Sequence, residues 1–291
     1  MNGWLLVDKP KGITSFGVVN LIKKILKVKI GHCGTLDPFA TGALLLAIGK
    51  ATRLVEHAQN FEKSYEFSVK WGVATDSYDV TGKVTDTSSV IPSYEQIDIA
   101  MQKFIGVIDQ TPPIFSAVKI NGKRAYEYAR KNEKVEIASK RVHLKEISIL
   151  NHSDDTTKFK ILSGKGFYVR SLAYDLARSL DTYAHVTDLR RNSTGILSGL
   201  KLLDIEELKK SLQIEGFYDY VTSNILPVDY VLDDIPVHNV DYGEMQRVQN
   251  GEKIQSTLSI ESGSSLAVKK DSALIAICIY DLGYLKPKIV F

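Results

Sequence analysis

An α+β fold with a mixed, mainly antiparallel sheet is what the sequence predicts, and three observations carry it. Strand-like and helix-like segments follow one another without the regular β–α–β alternation of a parallel sheet. Asn121-Gly122, inside Ala117–Ala125, has the signature of a tight hairpin turn, which pairs its strands antiparallel. From about Pro227 the pattern changes to short strands and turns running to Phe291. A chain of 291 residues exceeds the usual size of one domain. The expectation is therefore a large domain over residues 1–226 and a small β-rich one over 227–291.

The elements justify themselves in order. Gly3 to Val7 reads as a short buried strand that ends in the turn Lys9-Pro10-Lys11-Gly12. Ser15 is placed to cap a helix with the apolar stripe Phe16, Val19, Ile22 and Leu26, and with Lys23, Lys24 and Lys27 outward. Ala43 to Ile48, bracketed by Gly42 and Gly49, is an apolar run of strand length, and residues 52–59 read as helix. Tyr65, Phe67, Val69 and Trp71 alternate with Glu66, Ser68 and Lys70, the period of a half-buried strand. Ser93-Tyr-Glu-Gln96 is a capping box opening a helix towards Ile105. After the hairpin comes a short basic helix through Lys131, then strands at Val142–Leu150 and Lys158–Leu162. Gly164-Lys-Gly166 turns the chain into a helix with Val169, Leu172, Ala173 and Leu176 on one face.

Composition bounds the partners. Hydrophobic residues at 44% and charged residues at 24% belong to a globular protein with a real core. A net charge of +3 permits a nucleic-acid partner without demanding one, because clustering matters more than the total. Cys33 and Cys278 are far apart and have no metal-type spacing, which fits a reducing, cytoplasmic compartment. The N-terminal MNGWLLVDKP lacks a basic leader region, and no apolar run has the length of a membrane span. Dinucleotide, P-loop and G-x-S-x-G motifs are absent, as is the zinc-deaminase pattern.

One stretch carries the chemistry. In GHCGTLDPFATGALLLAIGK, residues 31–50, glycines crowd a single carboxylate, Asp37, and Pro38 restricts it to extended conformations. A structural turn in which Asp37 accepts backbone N–H bonds is one reading. A constrained loop that aims one carboxylate at one atom is the other. His32 has no second His or Cys at a ligand-like spacing, so a metal site has little support.

The motifs DKPKGITS (8–15), GHCGTLDPFATGALLLAIGKATR (31–53), KSYEF (63–67), TPPIFSAVKINGKRAYEYAR (111–130), GKGFYVRSLAYDLA (164–177) and HVTDLRRNSTG (185–195) resemble the bacterial tRNA pseudouridine synthase B (TruB) family. The likeness covers most of residues 3–200 in order, and the tail from about Pro227 resembles the family's PUA-like domain more weakly. It implies a pseudouridine-synthase catalytic domain with a thumb insertion at about 111–141, acting on uridine 55 in the T arm of tRNA. It implies no cofactor or metal, no membrane, no obligatory protein partner, and a monomer. Asp37 is then the nucleophile, Arg170 its ionic partner, and Tyr65 the ring that stacks on the target base. His32 enters the T loop, Leu189 lines the uracil pocket, and Lys9 with Pro10 packs behind the catalytic loop. The chain departs from the family at Phe39, where smaller or aliphatic residues are usual, and at Cys33, where threonine is common.

Basic residues gather at Lys23, Lys24, Lys27 and Lys29, at Arg190-Arg191, and along Lys119, Lys123, Arg124, Arg130, Lys131, Lys134, Lys140 and Arg141. In the family that last segment closes on the T stem-loop, so Lys119, Lys123, Arg124 and Arg130 are expected to contact RNA phosphates. Two other functions remain open. One is a tRNA-folding chaperone acting independently of isomerisation, and the other is a guide-RNA-dependent relative that needs protein partners.

Overall fold

The computed structural model describes residues 1–131, 133, 135–207 and 217–291; Lys134 lies outside the described residues. The first half runs β1 (Gly3–Lys9), α1 (Ser15–Leu26), β2 (Ile30–His32), β3 (Thr41–Ile48), α2 (Val55–Gln59), β4 (Lys63–Trp71), β5 (Val73–Thr75), β6 (Val84–Thr87), α3 (Tyr94–Met101) and β7 (Gly106–Gln110). It continues through β8 (Lys119–Ile120), β9 (Lys123–Arg124), α4 (Ala125–Arg130), β10 (Lys140–Ser153), β11 (Thr156–Ser163), α5 (Val169–Arg178), β12 (Ala184–Thr194) and β13 (Leu203–Asp204).

Among the described residues nine of these strands form one sheet in the order β13-β1-β3-β12-β4-β11-β10-β7, with β2 added on β3, while β5/β6 and β8/β9 pair separately. Only β1/β13 and β3/β12 pair parallel, so the sheet is mixed and mainly antiparallel, as the sequence predicts. Its inner part is covered on both faces, which explains the unbroken apolar run in β3. Leu5, Val7, Leu44, Leu46 and Ile48 pack beneath α1 and α5. Trp4, Leu6, Leu45 and Ala47 pack the other way, against Val231, Leu232, Ala267 and Ile277.

Beyond Pro227, β14 (Val237–Asn239), β15 (Ile254–Gln255), β16 (Ser265–Lys270), β17 (Ala273–Asp281) and β18 (Tyr284–Val290) form a five-stranded sheet in the order β14-β16-β17-β18-β15. It is tied to the larger body by Trp4 Nε1, which donates to Val228 O at 2.7 Å. A contact between Arg53 Nη1 and Val290 O adds to this.

One local reading needs correction, at the start of α1. Thr14, not Ser15, caps α1, its Oγ1 accepting from Gly17 N at 2.9 Å. Phe16 then falls off the buried stripe of Val18, Val19, Ile22 and Leu26, because each helical residue turns by about 100°, and it is 66% exposed. Residues 52–59 are helical as read, with a 3₁₀ segment, Gly49–Leu54, leading into α2. The Ser93 capping box is present, and α3 runs on through a 3₁₀ turn, Gln102–Phe104, to Ile105 as read. The hairpin is as expected: Asn121 and Gly122 have φ of 49° and 83°, the left-handed pair a primed turn requires.

Candidate active site

The loop between β2 and β3 presents Asp37, and its backbone is fixed from several sides. Ser15 Oγ accepts from Leu36 N at 2.8 Å and donates to Leu36 O at 3.0 Å, which is why this serine is unavailable as a helix cap. Gly12 N donates to Pro38 O at 2.7 Å. Lys9, fully buried, donates to Ile13 O at 2.8 Å, Pro10 O at 3.0 Å and Pro38 O at 3.4 Å. Burial lowers its ammonium to about 8, with the nearby Asp37 opposing that shift. On the far side Arg191 Nε donates to Ala43 O at 2.6 Å and Nη2 to Gly34 O at 3.2 Å. Gly42 belongs to this packing rather than to a turn. It lies inside β3 at φ 102°, where a Cβ would stand 2.2 Å from Arg191 O, so β12 passes too close for any side chain.

Arg170 meets Asp37 inside the fold. Its Nη2 donates to Asp37 Oδ1 at 2.9 Å. Its Nε stands 2.8 Å from Oδ2, near enough for charge attraction though misaligned for a hydrogen bond. The same guanidinium reaches Asp79 Oδ2 at 3.3 Å, Ser77 O at 2.9 Å and Phe115 O at 3.0 Å. Asp79 is itself held by Ser77 Oγ at 2.8 Å and Thr81 N at 2.9 Å. One buried cation therefore bridges two carboxylates. Burial raises the Asp37 carboxyl above the ordinary aspartate value; Arg170, by charge and hydrogen bond, draws it down, and Asp79 pushes it further up. Arg170 thus restrains the upward shift without reversing it. Yet the Asp37 side chain keeps 30% of its surface exposed, towards a cavity of about 290 Å³.

That cavity brings together four residues singled out from the sequence: Asp37, Tyr65, Arg170 and Leu189. Tyr65 enters from β4 and Leu189 from β12, neighbouring strands whose register sets Leu189 opposite Phe67 and Arg191 opposite Tyr65. His32 does not line it. It ends β2, half-buried, with Nδ1 enclosed and unpartnered, and burial followed by the Arg191 charge lowers its pKa. Lys9 lies behind the loop.

Lys119, Lys123, Arg124 and Arg130 are exposed on the hairpin and α4, away from the cavity wall. Lys123 lies over the Tyr128 ring at 5.9 Å and Arg130 over Tyr126 at 5.4 Å. The root of that segment does reach the site: Ser116 and Ala117 line the cavity, and Phe115 holds Arg170. Of the Arg190-Arg191 pair, Arg190 is bound at 2.7 and 3.0 Å by both oxygens of Asp8, and Arg191 is buried, so neither is a free surface cation.

Four residues of the site carried no individual signal in the sequence. Asp79 sits in DSYDVTG, which reads as an ordinary polar turn. Arg191 follows a similar arginine, and Lys63 opens an alternating strand. Tyr168, two residues before Arg170, lines the cavity with burial raising its phenol, and its backbone is clamped by Gln110.

The chain is similar to known proteins along most of its length. The family model "TruB family pseudouridylate synthase (N terminal domain)" matches residues 23–169, and "tRNA pseudouridylate synthase B C-terminal domain" matches 170–233. The tRNA pseudouridine synthase B of Rhodospirillum rubrum is 39% identical over 91% of this chain and 85% of its own length. That of Ehrlichia ruminantium is 37% identical over 100% of this chain and 99% of its own. Among solved structures, an H/ACA RNP bound to a substrate RNA containing 2′-deoxyuridine superposes with a TM-score of 0.74. The match spans 99% of this chain and 84% of that one at 22% identity, and it shows the shared fold.

Proposed function

The chain belongs to the TruB family of pseudouridine synthases, and from that premise we propose that it isomerises uridine 55 in the T arm of tRNA with Asp37 as nucleophile. The observation that supports this most is the Asp37–Arg170 pair at 2.8–2.9 Å, opening onto a cavity walled by Tyr65 and Leu189.

The reaction breaks the N1–C1′ bond, rotates the uracil, and joins C5 to C1′. The C5 hydrogen leaves as a proton, N1 gains one, and the nucleophile is regenerated. No electrons are gained or lost, so the chemistry needs one group able to hold a covalent intermediate. A carboxylate fixed by its loop and oriented by a buried guanidinium meets that need, on C1′ or on C6. The base must leave its stack in the T loop to enter the cavity, at a cost of a few kcal/mol. Stacking on Tyr65 offsets this by about 1–3 kcal/mol. Leu189 closes the apolar side, His32 works outside the cavity on the displaced loop, and Lys9 holds the loop from behind. Lys119, Lys123, Arg124 and Arg130 grip phosphates of the stem, as a thumb over about 111–141, while 227–291 forms the PUA-like domain. The enzyme acts as a monomer in the cytoplasm.

The test uses purified protein and a bare T-arm stem-loop labelled with tritium at uridine C5. Wild type releases tritium from position 55 without any added protein or guide RNA. Asp37→Asn lowers the single-turnover rate roughly 10⁴-fold while RNA affinity stays within about threefold. Tritium release by Asp37→Asn at the wild-type rate would remove the nucleophile. A requirement for partner proteins would favour the guide-dependent alternative.

A further inference from the structure

We propose that the basic wall of the cavity, formed by Arg191, Lys63 and Lys165, seats a phosphate that flanks the extruded uridine. The inference deepens the reading above and rests on it.

The cavity is lined by four cations, Lys63, Lys165, Arg170 and Arg191, against a single carboxylate, Asp37. Arg170 is consumed by Asp37 and Asp79. Among the described residues, none of the other three has a carboxylate within ion-pair distance. Two of them are nonetheless inside the protein, Arg191 at 1% and Lys63 at 6% exposure. Their protein partners are carbonyl dipoles only. Lys63 Nζ donates to Gln59 O at 2.6 Å and to Phe61 O, and Arg191 to Ala43 O and Gly34 O.

A buried cation without a counterion costs several kcal/mol, and two side by side cost more through repulsion. Lys63 shows the strain directly: burial, then the charge of Arg191, brings its ammonium down to about 8. An anion entering the cavity relieves both. Uracil is neutral, so the negative charge of a bound nucleotide is its phosphodiester.

The geometry leaves room for one. Among the described residues Arg191 Nη1 has no hydrogen-bond partner, and it faces Gly34, where a Cβ would stand 3.5 Å from it. Gly166, at φ 79°, has no atom within 4 Å of where its Cβ would be, so backbone alone borders the cavity beside exposed Lys165. Gly34 precedes Asp37 by three residues, about 10 Å at full stretch. A phosphate held there fixes the attached sugar with respect to the nucleophile, which turns binding energy into alignment.

The experiment replaces one phosphodiester of the T-arm stem-loop, 5′ or 3′ to the target uridine, with an uncharged methylphosphonate. With wild type, one of the two positions lowers kcat/KM about 10–100-fold, and the other has little effect. Arg191→Gln and Lys165→Gln, confirmed as folded by thermal unfolding, show a similar loss on unmodified RNA. On the modified RNA they lose less than about threefold more, because the interaction is already gone. If Arg191→Gln does not fold, Lys165→Gln, at an exposed position, carries the same comparison. Full wild-type activity with both methylphosphonates overturns the inference, as does a penalty that multiplies undiminished in the variants. Failure on unmodified RNA would instead overturn the reading of function itself.

Discussion

At the scale of single residues, the balance around Arg170 decides how the site responds to acid. As the proposed nucleophile, Asp37 works only when ionised, so activity should fall as pH drops through its pKa. That pKa is raised by burial, with Asp79 adding to the rise and Arg170 opposing it. The acid limb of kcat/KM for wild type therefore lies above the ordinary aspartate value. Asp79→Asn removes a negative neighbour and leaves Arg170 wholly to Asp37, and both changes lower the Asp37 pKa. The limb then moves to lower pH, even as the less firmly held guanidinium reduces the maximal rate. A limb that moves upward would show that Asp79 acts through something other than charge. The sequence displayed Asp37 and Arg170 because each lies within a long distinctive motif. It concealed Asp79, because a carboxylate in a polar turn gains its meaning only when a helix nearly a hundred residues later delivers a cation to it.

Individual elements were legible where one period repeats and obscure where tertiary contacts compete. The alternation of β4 and the hairpin turn at Asn121-Gly122 are local properties and stand as read. Ser15 is a good helix cap in isolation, but the Leu36 backbone takes it, and Thr14 caps instead. Helix α5 illustrates a cost of building a site. It carries Arg170 on its buried side and is so enclosed that Asp175 is raised to about 6 by burial alone. The folded state thus retains a proton between roughly pH 4 and 6 that the unfolded chain has released. Stability falls as pH rises through that window and is flat above it. Asp175→Asn should make this slope shallower and stabilise the protein at pH 7 by about 1 kcal/mol, the full value being reduced because the carboxyl is only partly enclosed, while the raised Asp37 carboxyl keeps the rest of the slope. Urea midpoints at pH 4, 5, 6 and 7 measure it, and an identical slope in the variant would rule out Asp175 as its source.

Across the whole molecule, charge is distributed by depth, and sequence alone cannot reveal depth. Arg191 reads as part of a basic cluster, yet it and Lys63 are enclosed at the cavity. Lys119, Lys123, Arg124 and Arg130 are exposed to solvent on the outer hairpin and α4. The two sets should therefore respond differently to salt. Outer cations bind RNA by displacing condensed counterions, so the logarithm of the binding constant falls linearly with the logarithm of salt concentration. Each lost phosphate contact makes that slope shallower by about 0.7–0.9. Changing Lys119, Lys123 and Arg130 together to Gln should flatten it by about 2 and weaken binding of the T-arm stem-loop at low salt. The rate at saturating RNA should hold within about threefold, because none of the three lines the cavity. Fluorescence-anisotropy titrations from 50 to 300 mM KCl give the slope, and single-turnover assays give the rate. An unchanged slope would mean that these side chains do not touch phosphate. A collapsed rate with an unchanged slope would mean that the hairpin acts through Phe115 and Arg170, as part of the catalytic wall rather than as a grip on the stem.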